Sequence, residues 1–130
     1  MALALVVASV ATGCSSSFED SLVAEAEDGE FTVGSSLGED AGDVHVVCPY
    51  DRVSELGPEA KGALSEAGWS ETDEGRQWLV VERGSTVQVE GLSRDRVDFC
   101  GGTGLGTLQS ETRLTASQGD GGVLVVRRKG

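Results

Sequence analysis

Three cysteines and a single histidine are the residues of this chain whose types most readily carry chemistry. Cys100 and His45 could in principle form a thiol nucleophile and its general base. No residue that would orient the imidazole stands out in the sequence, so we expect His45 to be a structural or surface residue. The thiols and the histidine are also too scattered for the regularly spaced ligands of a zinc site. We therefore predict no catalytic residue, no metal site and no cofactor.

Two glycine motifs match functional patterns in spacing only. Gly34-Ser35-Ser36-Leu37-Gly38 matches G-x-S-x-G, but that nucleophile elbow needs a preceding strand, a following helix and a histidine that returns from later in the chain. Gly102-Thr103-Gly104-Leu105-Gly106 has spaced glycines, but the dinucleotide pattern requires glycine at position 107, which is threonine, and a helix after it. Both motifs are predicted to be loops.

The charge of the chain excludes one large class of partner. Acidic residues number 22 and basic residues 10, a net charge of −12, and nucleic-acid binding requires a basic face. Residues 19–76 contain 16 acids and 3 bases, whereas residues 77–130 contain 6 acids and 7 bases. We therefore expect no nucleic-acid partner. The basic end Arg127-Arg128-Lys129 is predicted to be solvated, with contact to anionic lipid or wall polymer as the alternative.

The chain opens with a short apolar segment. Residues 2–11 are all small or apolar, and about ten such residues are too few for a helix to span about 30 Å of hydrocarbon. The length matches the apolar part of a secretory signal. Ala11-Thr12-Gly13-Cys14, followed by three serines, resembles the lipobox of bacterial lipoproteins. A plain secretory signal and a buried N-terminal element are the alternatives.

The resemblance to bacterial lipoproteins implies a cellular location. Residues 1–13 would be a lipoprotein signal peptide, and Cys14 would carry diacylglycerol and become the mature N-terminus. The protein would be extracytoplasmic and anchored to the outer face of the cell membrane. Residues 15–43 contain nine acids and no base, so residues 14–42 are predicted to be the lipidated N-terminus and an acidic flexible tether. We expect a monomer whose partner, if any, is an envelope protein or wall polymer.

If Cys14 carries the lipid, Cys48 and Cys100 are the two cysteines that remain to form a pair. Paired cysteines outside the cytosol normally oxidise, and each of these two lies at the end of a predicted strand. A Cys48–Cys100 disulfide would close a loop of about 53 residues and stabilise the fold by about 4 kcal/mol in the chain-entropy model. The alternative is a reactive thiol.

Residues 43–130 are predicted to form a small α+β domain with a mainly antiparallel sheet and a helix on one face. Apolar residues from Val53 to Ala67 recur at helical spacing, with a break at Gly57-Pro58. Trp69 and Trp78 are predicted to be core anchors. Strands are expected at the following segments: 31–33, 43–48, 77–82, 86–90, 96–100, 113–116 and 123–126.

These observations favour a non-catalytic binding or structural domain on a membrane-anchored lipoprotein. The alternative is a small envelope enzyme or enzyme regulator with an unrecognised acidic site. A deep pocket lined by two or more carboxylates would favour the alternative, and a shallow convex surface would favour the binding or structural domain.

Overall fold

A computed structural model of the chain describes residues 14–38, 40–102 and 104–129, and the predicted signal peptide, residues 1–13, lies outside them. The described helices are α1 (Cys14–Glu27), α2 (Gly34–Leu37) and α3 (Pro58–Glu66). The described strands are β1 (Glu30–Thr32), β2 (Val44–Val47), β3 (Arg76–Arg83), β4 (Thr86–Ser93), β5 (Val97–Asp98), β6 (Thr107–Leu108), β7 (Arg113–Gln118) and β8 (Leu124–Arg128).

These strands form two sheets of four. Sheet A has the order β1-β7-β8-β5, and sheet B has the order β4-β3-β2-β6. All pairs are antiparallel except β5 with β8. The α+β class with a mainly antiparallel arrangement is confirmed. The strands divide between two sheets instead of forming the one that the sequence predicted, and helices other than α3 are present.

Sheet B has two covered faces, and its sequence shows why. In β3, Trp78 and Val80 project to one face while Leu79 and Val81 project to the other, and all four side chains are buried. A strand buried on both faces is expected to be a continuous apolar run. The face toward sheet A is called the inner face here, and the face that carries α3 is called the outer face.

The main core lies between the sheets. It combines the inner face of sheet B with side chains of sheet A and of helices α1 and α2. A smaller cluster joins the outer face of sheet B to α3 through Leu64 and Ala60. Trp78 is buried in this cluster and Trp69 packs against it, which confirms the prediction that both are core anchors.

The prediction of a flexible tether over residues 14–42 is wrong for the described part of that segment. Helix α1 buries Leu22, Val23 and Ala26, and Phe31 of β1 is also buried in the main core. The acidic residues lie mostly on the exposed side of these elements, so the average composition of the segment concealed an apolar face. The folded unit therefore begins well before Asp43.

Helix α3 begins at Pro58, as the sequence predicted, and Gly68 follows its end with a φ of +90°. The predicted helical turn before it is absent, because residues 51–57 form an irregular turn. Within this turn, the carboxylate of Asp51 accepts a hydrogen bond of 2.8 Å from the backbone N–H of Cys48.

A disulfide joins the two sheets. Cys48 follows β2 of sheet B and Cys100 follows β5 of sheet A, and the disulfide links them with their Cα atoms 5.7 Å apart. The predicted pairing is confirmed. It removes Cys100 as a candidate nucleophile, because a disulfide sulfur has no thiolate.

The buried side-chain amide of Gln77 also connects the two sheets, next to the disulfide. We call this contact between sheet B and residues 97–100 the junction. Gln77 of β3 is fully buried, and its Nε2 donates a hydrogen bond of 2.6 Å to the carbonyl of Val97. Its Oε1 accepts a hydrogen bond of 2.7 Å from the backbone N–H of Phe99. The side chain therefore satisfies backbone groups of the β5 segment that have no neighbouring strand on that side.

Ion pairs close the end of sheet A where α1 stops. Glu30 of β1 contacts Lys129 at 3.0 Å and Arg113 at 3.1 Å. The hydrogen bonds from Lys129, together with the charges of Lys129 and Arg113, hold the pKa of the Glu30 carboxyl below its ordinary value of 4.5. A carboxyl with a lowered pKa stabilises the fold above its ordinary pKa and loses that contribution as the pH falls through the folded-state pKa.

We predict that Glu30→Gln lowers stability at pH 7, with a difference from wild type that shrinks as the pH falls below 4.5. Urea midpoints measured across this range test the prediction. Glu27→Gln is the matched control, because it removes the same charge at an exposed site without an ion pair among the described residues. The expectation fails if both variants show the same pH dependence.

Candidate functional site

The outer face of sheet B is only partly covered by α3. The helix packs on Val47, Trp78 and Val80, and it leaves a polar strip made of His45 on β2, Thr107 on β6 and Glu82 on β3. His45 and Thr107 are direct cross-strand partners, so the register of β2 with β6 brings them together. We call these three residues the His45 strip.

The imidazole lies between a hydroxyl and a carboxylate. Its Nδ1 is 2.9 Å from Oγ1 of Thr107, and its Nε2 is 3.7 Å from Oε2 of Glu82. The order of carboxylate, imidazole and hydroxyl is that of a proton relay to an oxygen nucleophile. The Glu82 contact is too long for a hydrogen bond, and the Glu82 side chain is 50% exposed. Glu82 therefore does not lock the ring in place.

A cavity of about 410 Å³ opens beside the His45 strip. It is bounded by β2, by the irregular turn before α3 and by the start of β6, and it opens to solvent. Its polar lining residues are His45, Asp51, Arg52, Glu55 and Thr107. Among the described residues, no carboxylate forms an ion pair with the exposed Arg52. The cavity therefore offers a polar ligand the Arg52 guanidinium and the hydrogen-bonded pair of His45 and Thr107.

The sequence did not reveal this cavity. His45 was expected to be structural or on the surface, and its hydrogen bond to Thr107 and partial burial agree with that expectation. Thr107 and Glu82 drew no attention, because only the pairing of β2 with β3 and β6 places them beside the histidine. Thr107 was noted only as the residue that breaks the glycine pattern.

The two glycine motifs do not form catalytic sites. The prediction of a loop is wrong at the first motif, because Gly34–Leu37 is the short helix α2. The serine of the motif, Ser36, has a buried Oγ with no hydrogen-bond partner among the described residues, so no histidine activates it there. Gly34 is required there for close packing, because a Cβ would lie 2.6 Å from the carbonyl oxygen of Ser110. The described part of 102–106 leads into β6 without a helix, and Thr103 lies outside the described residues.

A strained tyrosine lies beside the disulfide. Tyr50 is 62% exposed and has a φ of +66°, a conformation that costs energy for a residue with a side chain. Its backbone N–H donates to the carbonyl of Glu71 at 2.7 Å, and its hydroxyl donates to Glu74 at 2.8 Å. The hydrogen bond to Glu74 raises the pKa of the Tyr50 hydroxyl. These contacts are internal, so they account for the conformation without a ligand.

The predicted lipidation residue, Cys14, is the first residue of α1, and Ala11, Thr12 and Gly13 lie outside the described residues. None of the helices in the described part of the chain is long and apolar enough to cross a membrane. At the other end, Lys129 binds Glu30, and Arg128 donates hydrogen bonds to the carbonyls of Leu105 and Thr107.

Comparison with known proteins gives no match. No family model, no curated protein and no solved structure matches the chain.

Proposed function

We propose that this chain is an extracytoplasmic lipoprotein, held at the outer face of the cell membrane by diacylglycerol on Cys14. The lipobox-like residues Ala11-Thr12-Gly13-Cys14 carry the proposal. Cleavage after Gly13 would leave every helix and strand of the described residues in the mature chain.

The disulfide supports the proposal independently of the lipobox. Cys48 and Cys100 form a bond between two sheets, and such structural disulfides persist in oxidising compartments but are rare in the cytosol. A protein that relies on this link for the arrangement of its core is suited to the space outside the membrane.

Because α1 starts at the proposed lipid site and packs into the core, a lipid on Cys14 would hold the domain close to the membrane surface. Glu19 of α1 accepts a hydrogen bond of 2.8 Å from the N–H of Ser93, and Asp20 binds Arg96 at 2.6 Å. The turn between β4 and β5 therefore lies beside the first part of α1, near the proposed anchor. His45 pairs with Val80, four residues along β3 from the partner of Ser93, or about 13 Å along the strand.

We propose a binding role for the domain, with the cavity beside His45 as its ligand site. Arg52 offers hydrogen-bond donors to an anionic or hydroxyl-bearing group, and the hydrogen-bonded pair of His45 and Thr107 offers one more, while Asp51 and Glu55 favour a cationic group nearby. Leu56 supplies an apolar side to the same cavity. A small polar ligand with charges of both signs, or the corresponding part of an envelope polymer or protein, fits this lining.

We predict that Cys14→Ser releases the protein from the membrane, because the serine hydroxyl replaces the thiol that would carry the lipid. The distribution of the full chain between membrane and medium, measured by immunoblot, tests this expectation. Ser15→Ala is the matched control and stays with the membrane. Equal membrane retention of Cys14→Ser and wild type would contradict the lipid anchor, and wild-type protein free in the medium would indicate a plain secretory signal.

The His45 strip supports a second candidate, a small envelope hydrolase, because it orders Glu82, His45 and Thr107 as a relay and two carboxylates line the adjoining cavity. In this case His45 would accept the Thr107 proton as the oxygen attacks an acyl carbonyl, and it would return that proton to the leaving group as the bond between the leaving group and the acyl carbon breaks. Water would then hydrolyse the Thr107 ester. The proposed binding role predicts no labelling by a fluorophosphonate probe. Labelling of wild type that is lost in Thr107→Val but retained in Thr86→Val would support the hydrolase instead.

A further inference from the structure

Strand β4 is the long open edge of sheet B. It has eight residues and pairs with β3 without interruption, and no described strand lies on its other side. The N–H of Arg94 donates to the carbonyl of Gly75, which identifies the hydrogen-bonded positions of this ladder. Because these positions alternate, the N–H and C=O groups of Val87, Val89, Gly91 and Ser93 point away from β3.

One end of this edge is already closed. The N–H of Ser93 donates to the carboxylate of Glu19 on α1. The outward N–H groups of Val87, Val89 and Gly91 make no hydrogen bond within the described part of the chain. The open ladder therefore consists of three alternate residues, and Val89 is at its centre.

This edge has few of the features that usually prevent strand pairing. Natural edge strands carry lysine, proline, bulges, covering elements or charged residues that point inward, and of these β4 has the inward-pointing Glu90. The sequence of β4, Thr-Val-Gln-Val-Glu-Gly-Leu-Ser, has no lysine and no proline, and its pairing with β3 has no bulge. Its one charged side chain, Glu90, is buried within its own domain. The three residues of the open ladder, Val87, Val89 and Gly91, carry no charge. The side chains of Val87 and Val89 are half-buried.

We propose that β4 is a homodimer interface, in which a second copy of this chain adds its own β4 in antiparallel orientation with Val89 opposite Val89. Val87 of each copy then faces Gly91 of the other. All outward groups of the open ladder find partners, which gives six backbone hydrogen bonds. Because the open residues are arranged symmetrically about Val89, the edge is complementary to itself, as a two-fold interface requires.

Charge favours this strand register over a register that is shifted by two residues. On the inner face, Gln88 of one copy lies opposite Glu90 of the other, and the Gln88 amide already donates a hydrogen bond of 2.6 Å to Glu90 within one chain. A shift by two residues in one direction would place Glu90 opposite Glu90. Directly opposed like charges destabilise a pair of strands, so that register is disfavoured.

Side-chain shape fits the same register on the outer face. Gly91 has no room for a side chain of its own, because a Cβ would lie 2.7 Å from Cζ3 of Trp78. Val87 of the second copy would cover Gly91, beside the Trp78 ring and the Arg76 guanidinium that stacks on it 5.1 Å from the ring centroid. Val89 would meet Val89 at the two-fold axis. The interface is therefore continuous with the apolar cluster beneath α3 and replaces the monomer that we expected from the sequence.

Sedimentation equilibrium and cysteine cross-linking test the dimer, using the full chain with Cys14→Ser so that no other free thiol is present. The chain with an unchanged β4 should sediment as a dimer. The Val89→Lys variant should have a dimer dissociation constant that is higher by about tenfold or more. Ser65→Lys, an exposed change on α3, is the control and leaves the dimer intact. Val89→Cys should form an intermolecular disulfide, because opposed Cα atoms of a hydrogen-bonded pair lie about 5.5 Å apart.

Thr86→Cys tests the register, because the two copies of residue 86 would lie about 20 Å apart along the strands. It should not cross-link. A monomer at all concentrations, or cross-linking of Thr86→Cys without Val89→Cys, would overturn the proposal. Circular dichroism of each variant shows whether it is folded, and the conservative Val89→Cys change keeps the test decisive if Val89→Lys does not fold.

Discussion

The attachment of residues 97–100 to sheet B is the constraint on which the rest of this structure depends. Gln77 projects from β3 into the core and holds Val97 and Phe99 by their backbone groups, and the Cys48–Cys100 disulfide closes the same junction one residue further on. Strand β5 has only two residues, so its pairing with β8 alone would hold it weakly. With the junction in place, Val97 and Phe99 are fully buried and complete the core between the sheets.

This junction also connects the fold to its proposed location. A buried amide satisfies its partners in any compartment, because its hydrogen bonds do not depend on redox conditions. A disulfide does depend on them, and it contributes most where the environment is oxidising. The Gln77 hydrogen bonds therefore hold the junction under any redox condition, whereas the Cys48–Cys100 disulfide holds it only in an oxidising compartment. The proposed lipid on Cys14 would attach this disulfide-linked domain to the membrane surface through α1.

The features that could be predicted from the sequence are local. The hairpin of β3 and β4, the start of α3 at Pro58 and the positions of most strands follow from alternation and turn residues. The disulfide was predictable because both cysteines lie at the ends of predicted strands and because the lipobox resemblance implies an oxidising compartment. Helix α1 was missed because the acidic composition of residues 15–43 outweighed the spacing of Leu22, Val23 and Ala26. Charges on an exposed face do not prevent burial of the opposite face.

The remaining features depend on contacts that are distant in sequence. Nothing in the neighbourhood of Gln77 indicates that it will be buried, since its partners lie about twenty residues away on a strand of the other sheet. The His45 strip likewise exists only because β2 pairs with both β3 and β6. The open edge of β4 is also a property of strand order, because a strand's own sequence does not state whether it will have one neighbour or two.

Native-state hydrogen exchange at the Phe99 amide tests the central claim most directly, because this N–H donates to Gln77 at the junction. If the junction holds the sheets together, the Phe99 amide exchanges only when the whole domain unfolds, with the same free energy as the Val80 amide in the centre of sheet B. The account would be contradicted if Phe99 exchanged through an opening that costs about 3 kcal/mol less than the opening that exposes Val80.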